Sequence, residues 1–151
     1  MTPHEQDAAA LPPGITVLGY AGLLPFVAGA LGITLLEGEP RAFAARALVA
    51  YAAVILSFLG AVHWGVELAR AEPGAARRLA VGVLPSLAGW VALLLPLRHG
   101  LALVVAALGA FWLYEHRMLG ASRLPPGYLG LRRSLTLAAC ALLALGLIAL
   151  G

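Results

Sequence analysis

Four side chains at the ends of apolar runs are equipped for chemistry: His63, Glu67, Glu115 and His116. Imidazole titrates near neutral pH and binds metals through either ring nitrogen. His63 and Glu67, one helical turn apart, can hydrogen-bond, and with Glu115 and His116 they would make a proton or metal site, since ionisable groups at membrane depth are functional candidates by default. A second chemistry is haem ligation. His63 and His116 fall near the same ends of two different apolar runs, and each has a glycine on its face, Gly60 or Gly109, where a flat macrocycle could approach. Two imidazoles from separate helices form an axial pair for a low-spin haem b. Against both readings stands depth: Glu67 and Glu115 lie at run ends beside Arg70 and Arg117, which favours a solvated ion-pair collar. No metal-spaced His-Glu-x-x-His, phosphate-cradling glycine loop or Ser, His and acid set occurs, so no catalytic or metal residues and no cofactor are expected, with haem the one exception the histidines allow.

These residues have to be positioned by helices in a bilayer. With 62% apolar and 11% charged residues among 151, and a mean hydropathy of +0.93, the chain cannot hide its apolar surface in a water-soluble domain. A spanning helix needs about 17 to 25 apolar residues, and such runs occur at 15–36, 47–66, 79–97, 101–118 and 134–151. They are rich in Leu and Ala and lack alternating polarity, which predicts helices rather than barrel strands. The fold class is therefore all-α: a polytopic bundle of five transmembrane helices, with a flexible tail over 1–13 and a single transmembrane domain over 14–151.

Ten arginines face seven carboxylates and there is no lysine. The arginines are scattered through short loops, which argues against nucleic acid and for topology signals. Five spans put seven arginines on the side of the amino terminus and three on the other, placing that terminus inside. Met1–Pro13 lacks the basic start of a signal peptide, so the first span is expected to be retained. Cys140 stands alone, so no disulfide framework is expected.

The second run organises the rest. At about 100° per residue, Ala53, Leu56, Ser57, Gly60, His63, Trp64 and Glu67 share one arc, and Ala53, Ser57, Gly60 and Trp64 are expected to form the helix-packing seam. Pro25 predicts a kink in the first span. Leu24-Pro25-x-x-Ala28-Gly29 reappears as Leu84-Pro85-x-x-Ala88-Gly89, a hint of two parallel hairpins. The stretch 119–133 is expected to be a loop at the headgroups, with Arg77, Arg78, Arg132 and Arg133 as lipid-headgroup contacts. Trp64 and Trp112 suit interfacial belts, and Trp90 suits the core.

The segments Leu18-Gly-Tyr-Ala-Gly-Leu-Leu-Pro25-Phe26, Ser57-Phe-Leu-Gly60-x-x-His63-Trp64-Gly65 and Leu124-Pro125-x-x-Tyr128-x-x-Leu131-Arg132 resemble an uncharacterised bacterial integral-membrane family, a domain of unknown function related to the mitochondrial transmembrane protein sixty-nine. The resemblance covers nearly the whole chain and implies a small polytopic membrane protein with no catalytic residues to carry over. From small size, sparse intramembrane charge and glycine-rich faces, the expectation is a multi-pass protein of a bacterial inner membrane. Its partners would be the lipid bilayer and other integral membrane subunits or further copies of itself. Its role would be that of a non-catalytic accessory or assembly subunit of a larger respiratory or photosynthetic complex. The alternative is a haem- or quinone-binding redox protein using His63 and His116.

Overall fold

The computed structural model describes residues 11–70, 73–119 and 126–151, and every regular element among them is helical. The helices are α1 (Ile15–Ala21), α2 (Leu24–Leu35), α3 (Gly38–Arg70), α4 (Ala75–Leu94), α5 (Leu97–Tyr114), a π-helical turn (Glu115–Leu119) and α6 (Pro126–Ala149). Taking α1 with α2 and α5 with the π-turn, five helical stretches are long and apolar enough to cross a bilayer. Residues 1–10 of the expected tail, and residues 120–125 of the expected loop, lie outside the described residues.

Proline placement explains the first boundary. A proline inside a helix removes one N–H and clashes with the carbonyl four residues back. The first span accordingly breaks between α1 and α2, and Pro25 restarts it in the first turn of α2. At the break the Leu23 N–H donates to the Tyr20 carbonyl at 3.0 Å, a tighter turn, and the Gly22 carbonyl accepts from the Tyr51 hydroxyl at 2.9 Å. A carbonyl left over by the interruption is thereby satisfied inside the bundle, as a low-dielectric surrounding demands. Pro85 sits in the interior of α4, which continues through it.

Two helices are longer than the hydropathy runs. α3 begins at Gly38 rather than 47, because Pro40 is tolerated in a first helical turn, and Arg41 and Arg46 are therefore helical. Its 33 residues reach about 50 Å at about 1.5 Å each, beyond the roughly 30 Å of bilayer hydrocarbon. α6 begins at Pro126 rather than 134, proline being preorganised for a helix start. Arg132 and Arg133 are thus carried on a helix instead of in a loop.

α3 is the axis of the bundle. It packs against α2, α4 and α5, while α6 closes the ring between α5 and α2. Its buried residues Ala45, Leu48, Ala52, Leu56 and Leu59 recur at helical spacing and meet Phe26, Ile33, Leu101, Val104, Leu108 and Leu143 in one core. Close approach depends on missing side chains. A Cβ on Gly29 would come within 2.9 Å of the Leu48 Cβ, and one on Gly89 within 2.9 Å of the Ala53 Cα. The two glycines of the repeated Leu-Pro-x-x-Ala-Gly pattern thus do the same work, each seating its helix on α3. Further along α3, past both contacts, a Cβ on Gly60 would run into the Gly82 carbonyl oxygen. At the end of α6 the Arg41 guanidinium donates to the Ala149 carbonyl, satisfying one of the acceptors every helix leaves at its C-terminus.

Candidate functional site: a buried ion-pair network

At the opposite end of the bundle from Arg41, three helices bring ionisable groups together out of reach of solvent. α3 supplies His63, the π-turn supplies Glu115, and α6 supplies Arg132 and Thr136; all four are 5% exposed or less. His63 Nε2–H donates to Glu115 Oε1 at 2.8 Å, and Arg132 Nε lies 3.0 Å from Glu115 Oε2, within ion-pair distance though not aligned as a hydrogen bond. Arg132 Nη1 donates to Thr136 Oγ1, which in turn donates to the Arg132 carbonyl at 2.8 Å. The His63 ring is held from the side by Phe111, with centroids 4.8 Å apart, and by Tyr114 at 6.2 Å.

The local cause of this geometry is the π-turn. Widening the helix by one residue shifts the register that α5 would have continued. Glu115 then faces the interior, while His116 is exposed and stacks on Trp112, centroids 5.4 Å apart. On α6, Arg132 and Thr136 are one turn apart and therefore on one face. Within the network one carboxylate meets one guanidinium at contact, and the imidazole adds a hydrogen bond to the same carboxylate. Such a set can exist in a low dielectric only because each charge has its partner at contact.

A second pair ties the neighbouring helices. Arg78 Nε on α4 donates to Glu67 Oε1 on α3 at 2.7 Å, and Arg78 Nη2 reaches the Pro73 carbonyl at 3.3 Å. Gly74, with a left-handed φ of 79°, makes the turn that lets α4 start close enough for this. Above it, Trp64 Nε1 donates to the Leu79 carbonyl at 3.0 Å, and the Trp64 ring lies over Gly82.

The residues singled out in the sequence are thus distributed as follows. His63 and Glu115 meet, but Glu67 turns to Arg78 instead of joining them, and His116 points away to Trp112. Gly60, the glycine beside His63, is covered by the backbone of α4, whereas Gly109 has nothing within 4 Å of where a Cβ would stand. The solvated collar is corrected: Glu67 and Glu115 are buried, because their partners approach from α4 and α6. Arg132 is likewise buried rather than at the headgroups, since the earlier start of α6 draws it into the bundle. Arg78 is half-buried on Glu67, while Arg77 and Arg133 are exposed. Ala53 and Gly60 lie buried against α4, Trp64 covers Gly82, and Ser57 is exposed, its hydroxyl donating to the Ala53 carbonyl at 3.0 Å. Trp90 is 60% exposed, on the lipid side rather than in the core.

Two depressions flank the network. One, of about 390 Å³, lies between α4 and α5 and is walled by hydrocarbon from Leu84, Pro85, Ala107 and Phe111, with Tyr114 at its edge. The other, of about 160 Å³, lies among α1, α2, α3, α5 and α6 and has Arg132 and Thr136 in its wall.

Comparison with known proteins agrees with this membrane architecture. Transmembrane protein 69 of Xenopus tropicalis is 36% identical over 126 residues, 81% of this chain but 49% of the relative, so the chain spans about half the length of that protein. No solved structure matches it. The family model described as protein of unknown function (DUF3429) matches residues 11–148, and the chain belongs to that family.

Proposed function

We propose that this protein is a non-catalytic accessory or assembly subunit of a larger membrane complex, respiratory or photosynthetic, in a bacterial inner membrane. The observation that carries this reading is how its buried charges are used. His63, Glu115 and Arg132 join α3, the π-turn and α6, and Glu67 with Arg78 joins α3 and α4. In a transporter, intramembrane ionisable groups line the path of the transported ion. Here they act as ties that join one helix of the five-span bundle to the next. Its outer surface is apolar, with Val54, Phe58, Leu87, Trp90 and Leu94 all exposed, a surface suited to lipid or to the spans of another subunit.

Solubilisation of native membranes in mild detergent, followed by native electrophoresis, tests the role. The expected result is co-migration with an intact multi-subunit complex, and loss or stalled assembly of that complex when the gene is deleted. Migration at the size of the free chain, with every large complex assembled normally in the deletion strain, would overturn it.

A further inference from the structure

We propose that the 390 Å³ groove between α4 and α5 seats one acyl chain of an anionic phospholipid, with Arg77 holding the phosphate beyond its end. The groove is made by side-chain size. Pro85 and Phe111 are buried and form its floor, while Ala88, Ala107 and Ala110 leave the space that Leu84 walls in. Its lining runs from Val81 to Ala88 on α4 and from Ala107 to Tyr114 on α5, so it extends about 10 Å along the bundle at about 1.5 Å per residue. A groove that follows two neighbouring helices in this way lies in the direction that acyl chains take in a bilayer.

The charge beyond one end decides which molecule fits. At about 100° per residue, Arg77, Val81, Leu84 and Ala88 share one stripe of α4, so Arg77 stands one turn past the groove and in line with it. Side chains lean toward a helix N-terminus, here the bilayer surface, which is the level at which an arginine places its charge. Arg77 is exposed and has no ion-pair partner among the described residues. The described carboxylates at this rim, Glu67 and Glu115, are buried on Arg78 and Arg132. With Arg117 and Arg133 also exposed, the described surface at this rim is positive.

A purely apolar occupant, such as the span of another subunit, would fill the groove and leave Arg77 without an anion. An anionic phospholipid answers both features at once: its chain matches the hydrocarbon lining, and its phosphate offers oxygens that a guanidinium pairs with bidentately. Tyr114 adds, at the same end of the groove, a hydroxyl that makes no hydrogen bond among the described residues and is placed to donate to a phosphate or ester oxygen. Lipid tails are as apolar as the groove, so a chain entering it gains packing alone, and selectivity between lipids comes from the charge.

The test titrates the delipidated full-length protein in detergent with phosphatidylglycerol and, separately, with phosphatidylcholine of the same acyl chains, and counts bound lipid by native mass spectrometry. The expected result is a single tightly held phosphatidylglycerol per chain, preferred over phosphatidylcholine by about fivefold, the worth of one arginine near a membrane surface. Arg77→Gln should erase the preference. Arg133→Gln removes an exposed charge at the same rim, but on α6, and should leave most of it. Ala110→Phe fills the groove from its exposed side and should abolish retention of the lipid in a protein whose circular dichroism is unchanged. Equal binding of the two lipids, equal losses in the two arginine variants, or undiminished binding to the folded Ala110→Phe protein would overturn the proposal. So would a dimer that Ala110→Phe dissociates, because the groove would then receive a second copy of the chain.

Discussion

Glu115 is the residue on which the buried charges turn, since it touches both His63 and Arg132. Replacing it by Ala should lower stability by about 3–5 kcal/mol, the usual consequence of leaving a buried charge unpaired. The decrease is measurable by SDS-titrated unfolding followed by circular dichroism. The double variant Glu115→Ala with Arg132→Met should lose markedly less than the sum of the single losses, because the second change removes the orphaned charge. Trp64→Phe forfeits one hydrogen bond to the Leu79 carbonyl and should cost about 1 kcal/mol in the same assay. At this scale the sequence was half legible. His63 and Glu115 were visible as ionisable groups at the ends of apolar runs, but their mutual pairing depended on the π-turn, which no periodicity of 3.6 reveals. Arg132 was hidden by a misplaced helix start. The signals that could have found it were Pro126, a natural first helical residue, and the one-turn spacing from Arg132 to Thr136.

Among the helices, the contact of α3 with α4 is the least tolerant of added volume. Gly60→Ala would force a methyl group into the Gly82 carbonyl and must push the two helices apart, a change expected to cost more than about 2 kcal/mol. Gly65→Ala, five residues further along α3, has nothing within 4 Å of the new methyl and should be neutral or gain up to about 1 kcal/mol from helix propensity. Parallel unfolding titrations of the two variants make the comparison direct, and equal stabilities would contradict the close approach. Hydropathy located all five spans, and Pro25 marked the break between α1 and α2, because both follow from local chemistry. The true lengths of α3 and α6 did not follow from it, since polar and charged residues at helix ends lower hydropathy without ending the hydrogen-bonded ladder.

For the whole molecule, five helices long and apolar enough to cross a bilayer predict chain ends on opposite faces of the membrane. Reporter fusions at each terminus should therefore report different compartments, and agreement between them would refute the odd count. The apolar core around α3 is supplemented by polar ties at the two rims of the bundle. α6 feels this most. Near its start it is bound through Arg132 to the π-turn, and at its finish the Ala149 carbonyl is gripped by Arg41 of α3. A rod fastened at top and bottom resists lengthwise sliding, since a piston-like shift of α6 has to break both fastenings.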